Sequence, residues 1–115
     1  MKVLQGVNVE KKDIVKAGNS VEVFKDIIGE PFKMTGAVIF EKTEKDKDGK
    51  DVVNVVSAIK KEDGEFVSSI SPTIKNSLDN ILGVYSEEEI TAGLDVIIKA
   101  GTSNNNREFL YVDLV

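Results

Sequence analysis

Aliphatic residues recur at every second position near the C-terminal end of the chain, where Leu110, Val112 and Leu114 alternate with Phe109, Tyr111 and Asp113. That period predicts a strand over residues 107–114. Residues 94–99 (LDVIIK) predict the strand before it, joined through the polar turn 101–106 (GTSNNN). Upstream, residues 21–28 (VEVFKDII) are β-branched, aromatic and roughly alternating, and predict a first strand. Gly29-Glu30-Pro31 ends it, because proline offers no donor to a ladder. Residues 36–43 predict a second strand and residues 51–59 (DVVNVVSAI) a third, in which Val52, Val53, Val55 and Val56 suit burial on both faces. Between these two, residues 44–51 form a charged hairpin tip that contains Asp48-Gly49. A turn at Glu62-Asp63-Gly64 leads into a short extension over residues 66–70.

One helix interrupts the strands. Ser71 is placed as its N-cap and Pro72 at its first position, where a missing N–H costs nothing. Ile74, Leu78, Ile81 and Leu82 form one apolar stripe, and Gly83 is placed to end it. Ser86-Glu87-Glu88-Glu89 has capping-box spacing and predicts a single helical turn before Gly93. Residues 1–20 read as an N-terminal strand or ordered arm. Val3, Val7 and Val9 alternate loosely there, and Lys11-Lys12-Asp13 and Ala17-Gly18-Asn19-Ser20 read as turns. The order of elements predicts one all-β domain with one helix, spanning residues 1–115. It is the order of an OB-fold-like five-stranded Greek-key barrel, helix between the third and fourth strands. The same short strands are also compatible with a sandwich or an open sheet.

A length of 115 residues suits a single domain. The absence of Cys excludes disulfides, thiolate nucleophiles and zinc ribbons, and the absence of His removes the commonest general base and metal ligand. A formal charge of −5 argues against a nucleic-acid binder, a class that is usually basic. Much of the acidity, however, gathers at the hairpin tip (Asp46, Asp48, Asp51) and at Glu87-Glu88-Glu89. The remaining basic surface is then local and modest. No apolar run resembles a signal peptide or a membrane span, so a cytoplasmic protein with no membrane partner is expected.

Candidate chemistry centres on the last strand. Period two places Arg107, Phe109 and Tyr111 on the face opposite the aliphatic one. Aromatic rings on a sheet surface beside a cation are what single-stranded nucleic acid needs, because bases stack on the rings and cations hold phosphates. The competing reading puts the same rings in a second core layer or a dimer interface. Phe40 with Lys42 on the second strand, Phe24 with Lys25 on the first, and Phe66 after Lys60-Lys61 repeat the combination of aromatic and lysine, although a lysine at a strand end is also an ordinary edge-protecting residue. The tip Glu44-x-Asp46-x-Asp48-Gly49 begins like a calcium loop, but its twelfth position is Val55 and no helices are predicted to flank it. Glu87-Glu88-Glu89 sits where a helix start welcomes carboxylates. Neither place predicts a metal site, and no glycine loop has phosphate-binding spacing.

Several segments carry a family resemblance. They are Asp63-Gly64-Glu65-Phe66-Val67-Ser68-Ser69-Ile70-Ser71, Val96-Ile97-Ile98-Lys99-Ala100-Gly101-Thr102-Ser103 and Phe109-Leu110-Tyr111-Val112-Asp113-Leu114, with Val21-Glu22-Val23-Phe24 and Pro31-Phe32-Lys33 upstream. In that order and spacing, from about residue 20 onward, the chain resembles the small single-stranded-DNA-binding proteins of protein-primed tailed bacteriophages. The resemblance implies a non-catalytic protein that coats displaced strands during phage genome replication and exposes aromatic rings for base stacking. It also implies that Phe40 occupies an aromatic position of the second strand. The hairpin tip departs from the family in carrying no aromatic residue.

The expected function is therefore sequence-tolerant binding of single-stranded DNA, with no enzymatic activity, cofactor or small-molecule substrate. Phe40, Phe66, Phe109 and Tyr111 are the expected stacking residues, with Arg107 beside them. Lys42, Lys60, Lys61 and Lys99 are the expected phosphate contacts. The alternative is a protein–protein or assembly module in which the same aromatics form a homo-oligomer interface.

Overall fold

The computed structural model describes residues 2–20 and 22–115. In chain order it contains β1 (Lys2–Val7), α1 (Lys11–Gly18), a 3-10 helix (Phe24–Ile27), β2 (Phe32–Lys45), β3 (Asp51–Lys61), β4 (Phe66–Ser69), α2 (Pro72–Val84), α3 (Glu87–Ala92), β5 (Leu94–Thr102) and β6 (Glu108–Leu114). The strands make one antiparallel sheet in the order β4-β3-β2-β5-β6, with β1 also paired to β2. β3 occupies one edge of β2 along most of its length, so β5 and β1 share the other. β5 pairs with Phe32–Met34 and β1 with Ala37–Glu41. Gly36 lies between these two stretches, and a Cβ on it would stand 2.9 Å from the Val7 carbonyl oxygen. Only glycine lets the two strands approach there.

The centre of β2 is buried on both faces, and its alternation feeds two cores. Ala37 and Ile39 join Ile59, Val67, Val96 and Ile98 beneath α2, α3 and the 3-10 helix. Val38 and Phe40 join Val56, Ala58 and Phe66 beneath Ala17 of α1. α2 also guards the edge strand β6. Thr73 Oγ1 donates to the Leu110 carbonyl at 2.7 Å, and Ser77 Oγ accepts from the Val112 N–H at 2.9 Å. Two outward-facing backbone groups of an edge are thus satisfied by side chains.

The strands from β2 onward, α2 and the capping box of α3 follow the sequence expectation, and five features correct it. The sheet is open, because β4 and β6 are not hydrogen-bonded to each other, so the barrel is not closed. Among the described residues, three α-helices and a 3-10 helix replace the single helix. Among the described residues of segment 21–28 there is no strand. Phe24 and Ile27 lie three apart, and the three-residue turn of a 3-10 helix sends both into the first core, where a strand would put them on opposite faces. This segment is pinned at its ends by bridges from Val23 to Ser68 and from Ile28 to Ile98. Residues 11–18, read as partly turn, form α1, whose start is held by the Glu10 N–H donating to Asp13 Oδ2 at 2.9 Å. Gly83 lies inside α2, which runs on to Val84.

Candidate nucleic-acid interface

The outer face of β5 and β6 is built by their register. Gly101 stands opposite Phe109, Lys99 opposite Tyr111, and Ile97 opposite Asp113. Phe109 spreads over the bare backbone of Gly101, where a Cβ would come within 2.5 Å of the ring's Cζ. Its centroid lies 5.9 Å from that of Tyr111, with the planes tilted by 37°. This is the spacing of a favourable aromatic pair. Lys99 Nζ donates to Asp113 Oδ2 across the ladder at 2.8 Å. That bond raises the lysine pKa and, from the other side, lowers that of Asp113. The ammonium at position 99 is therefore already matched by a carboxylate.

Two grooves flank this pair of rings. One, of about 580 Å³, is lined by Lys25, Ile28, Pro72, Thr73, Arg107 and Phe109 among others. The other, of about 400 Å³, runs past Tyr111, Tyr85, Asn80 and Val84. A third hollow of about 630 Å³ lies beside α3, but Glu87 and Glu88 line it, which suits no phosphate. Asp46 Oδ1 at the hairpin tip is engaged by the N–H groups of Asp48 and Lys50, each at 2.9 Å. The carboxylate is used by its own turn.

The residues expected from the sequence divide into two places. Arg107, Phe109, Tyr111 and Lys99 share the β5–β6 region. Phe40 (0% exposed) and Phe66 (3%) lie in the second core beneath α1, away from any surface on which a base could stack. The physical reason is the helix that the sequence pattern left unassigned. Lys42, Lys60 and Lys61 secure that same N-terminal segment. Lys42 Nζ donates to the Gly18 carbonyl at 2.9 Å, Lys60 pairs with Asp13 at 3.4 Å, and Lys61 with Glu22 at 2.8 Å. The hydrogen bond that Lys61 donates to Glu22 raises the Lys61 pKa. Asp13 is held below the usual carboxylate range, first by the Glu10 N–H and then by Lys60.

Among the described residues, no carboxylate lies within ion-pair distance of Arg107 or Lys25, whereas Lys42, Lys60, Lys61 and Lys99 are all paired. Lys25, which the sequence pattern shows as a strand lysine beside Phe24 but not among the expected phosphate contacts, joins this site in the structure. A strand reading puts it on the same face as Ile27. The spacing of Phe24 and Ile27 was the available signal that the segment turns.

Residues 8–115 match the family model described as phage single-stranded DNA-binding protein. The chain belongs to that family. The match takes in α1, the 3-10 helix and the whole β5–β6 face, and leaves out β1. No curated protein and no solved structure matches the chain. The β5–β6 region carries two rings, a guanidinium with no ion pair among the described residues, and two adjoining grooves. Among the described residues, no helix is long and apolar enough to cross a membrane.

Proposed function

We propose that this phage protein coats single strands displaced during genome replication, in the host cytoplasm, by stacking bases on Phe109 and Tyr111 while Arg107 engages phosphate. The observation that carries this reading is the pair of touching, half-buried rings on the open β5–β6 face, beside a guanidinium with no ion pair among the described residues. Every base has a π face, so two rings without a fitted hydrogen-bonding pocket bind with little regard to sequence. Phe109 lines one of the adjoining grooves and Tyr111 the other. A strand laid along β6 would meet Phe109 and then Tyr111.

A fluorescence titration with oligo-dT and with a duplex of equal length tests this. Wild-type protein binds the single strand in strong preference to the duplex. Phe109→Ala and Tyr111→Ala each weaken binding by about 1–3 kcal/mol, roughly 5- to 150-fold. Light scattering on the same variants separates the alternative, a homo-oligomer interface built on these rings. Loss of an oligomer with oligo-dT binding unchanged would replace the strand-coating reading of the rings with the assembly one.

A further inference from the structure

Lys25 reaches the surface through the turn that buries its neighbours. In the 3-10 helix, Phe24 and Ile27 point into the first core, and Lys25 and Ile28, also three apart, come out together. Both line the groove of about 580 Å³ that Arg107 and Phe109 also line. The segment cannot swing freely. Ile28 bridges Ile98, the Gly29 N–H donates to the Ile98 carbonyl at 2.9 Å, and the Ser68 N–H donates to the Glu22 carbonyl at 3.2 Å. Lys25 is thus carried on a short, doubly anchored piece of backbone.

We infer that this groove is the channel for the strand's sugar–phosphate backbone, and that Lys25 and Arg107 are its two phosphate-binding cations. The inference rests on the strand-coating reading above and names which residues hold the backbone. Charge complementarity supports it. Among the residues lining the groove, Lys25 and Arg107 face a single acid, Glu108, and neither cation makes an ion pair with a described carboxylate. The lysines at 42, 60, 61 and 99 would each have to break an existing pair or a backbone contact before touching a phosphate. Ile28 and Pro72 add an apolar wall of the kind a deoxyribose packs against, next to the ring of Phe109. The groove meets the aromatic pair at Phe109, so a backbone lying in it would deliver its bases towards the two rings.

The number of cations gives the test a quantity. On single strands each neutralised phosphate contributes about 0.7 to the slope of log K against log salt, so two cations give a slope of roughly −1.4. Oligo-dT titrations over a salt series are run on wild type, Lys25→Gln, Arg107→Gln and Lys47→Gln. Lys47 is an exposed hairpin-tip lysine, also without an ion pair among the described residues, and serves as the control. Lys25→Gln is expected to flatten the slope by about 0.7 and to weaken binding about 5- to 10-fold near 50 mM salt. Arg107→Gln should do the same, and Lys47→Gln should change neither. Thermal unfolding of Lys25→Gln should match wild type, since its side chain projects outward from the core. A wild-type slope in Lys25→Gln, with oligo-dT still bound, overturns the channel and leaves strand coating standing. No oligo-dT binding by the wild type overturns both.

Discussion

Phe109 can lie flat because the residue across the ladder has no side chain. An alanine at position 101 would put its Cβ 2.5 Å from Cζ and 2.8 Å from Cε2 of the ring. Those atoms are the tip of a rotatable side chain, so the ring turns away and the backbone stays put. Gly101→Ala should therefore leave the thermal midpoint nearly unchanged while weakening oligo-dT binding almost as much as Phe109→Ala does. Equal affinity for Gly101→Ala and wild type, with the variant folded, would mean that the ring's pose is irrelevant to binding. At this scale the sequence was legible where a single period governs. Arg107, Phe109 and Tyr111 follow from alternation along one strand, and so does the aliphatic face opposite. Phe40 and Phe66 obey the same alternation, but which of two sheet faces is wet depends on what covers it, and no local pattern in β2 or β4 records the helix that does.

That helix is the least legible element, and residues far along the chain hold it. α1 has eight residues and buries only Asp13 and Ala17 fully, so its apolar stripe is too narrow to announce itself. It is held by contacts from far along the chain, with Lys42 on the Gly18 carbonyl, Lys60 on Asp13, and Lys16 on the Gly64 carbonyl at 3.0 Å. Asp13, 8% exposed, joins the two kinds of contact, capping its own helix and meeting Lys60. Its carboxyl is depressed below the ordinary value of 3.8 by the Glu10 N–H, with Lys60 adding to it. A depressed carboxyl contributes its stability in full above the ordinary value and loses it as pH falls through the folded one. Asp13→Asn should therefore cost about 1 kcal/mol in urea unfolding at pH 7, and the gap from wild type should close as the pH is lowered below 3.8. A gap of constant size down to pH 2.5 would mean that the charge on Asp13 contributes nothing. The 3-10 helix was missed for a related reason. Its sequence has strand composition, and only the shared destination of Phe24 and Ile27 in the core selects the tighter turn.

For the whole molecule, the order of strands and the helix after β4 were legible from local patterns. The closure of the sheet was not, because it depends on how far β4 and β6 diverge around α2. The charge question belongs to this scale as well. A chain of net charge −5 can bind DNA if its acids stand apart from the binding face and its free cations stand on it. The same composition sets how that balance responds to pH. With no His and no Cys, no side chain has an ordinary pKa between about 5 and 8. The shifts that environment does impose move away from neutrality, downward for Asp13 and Asp113 and upward for Lys33, Lys61 and Lys99. Arginine stays protonated throughout, and the phosphodiester of the ligand stays ionised. Oligo-dT affinity at fixed salt should therefore be flat, within about twofold, from pH 6 to pH 8.5, and should fall only where lysines begin to lose their protons, towards about pH 10. A titration series at constant ionic strength measures it. A several-fold change across neutrality would require a carboxylate pushed far above its ordinary range at the interface.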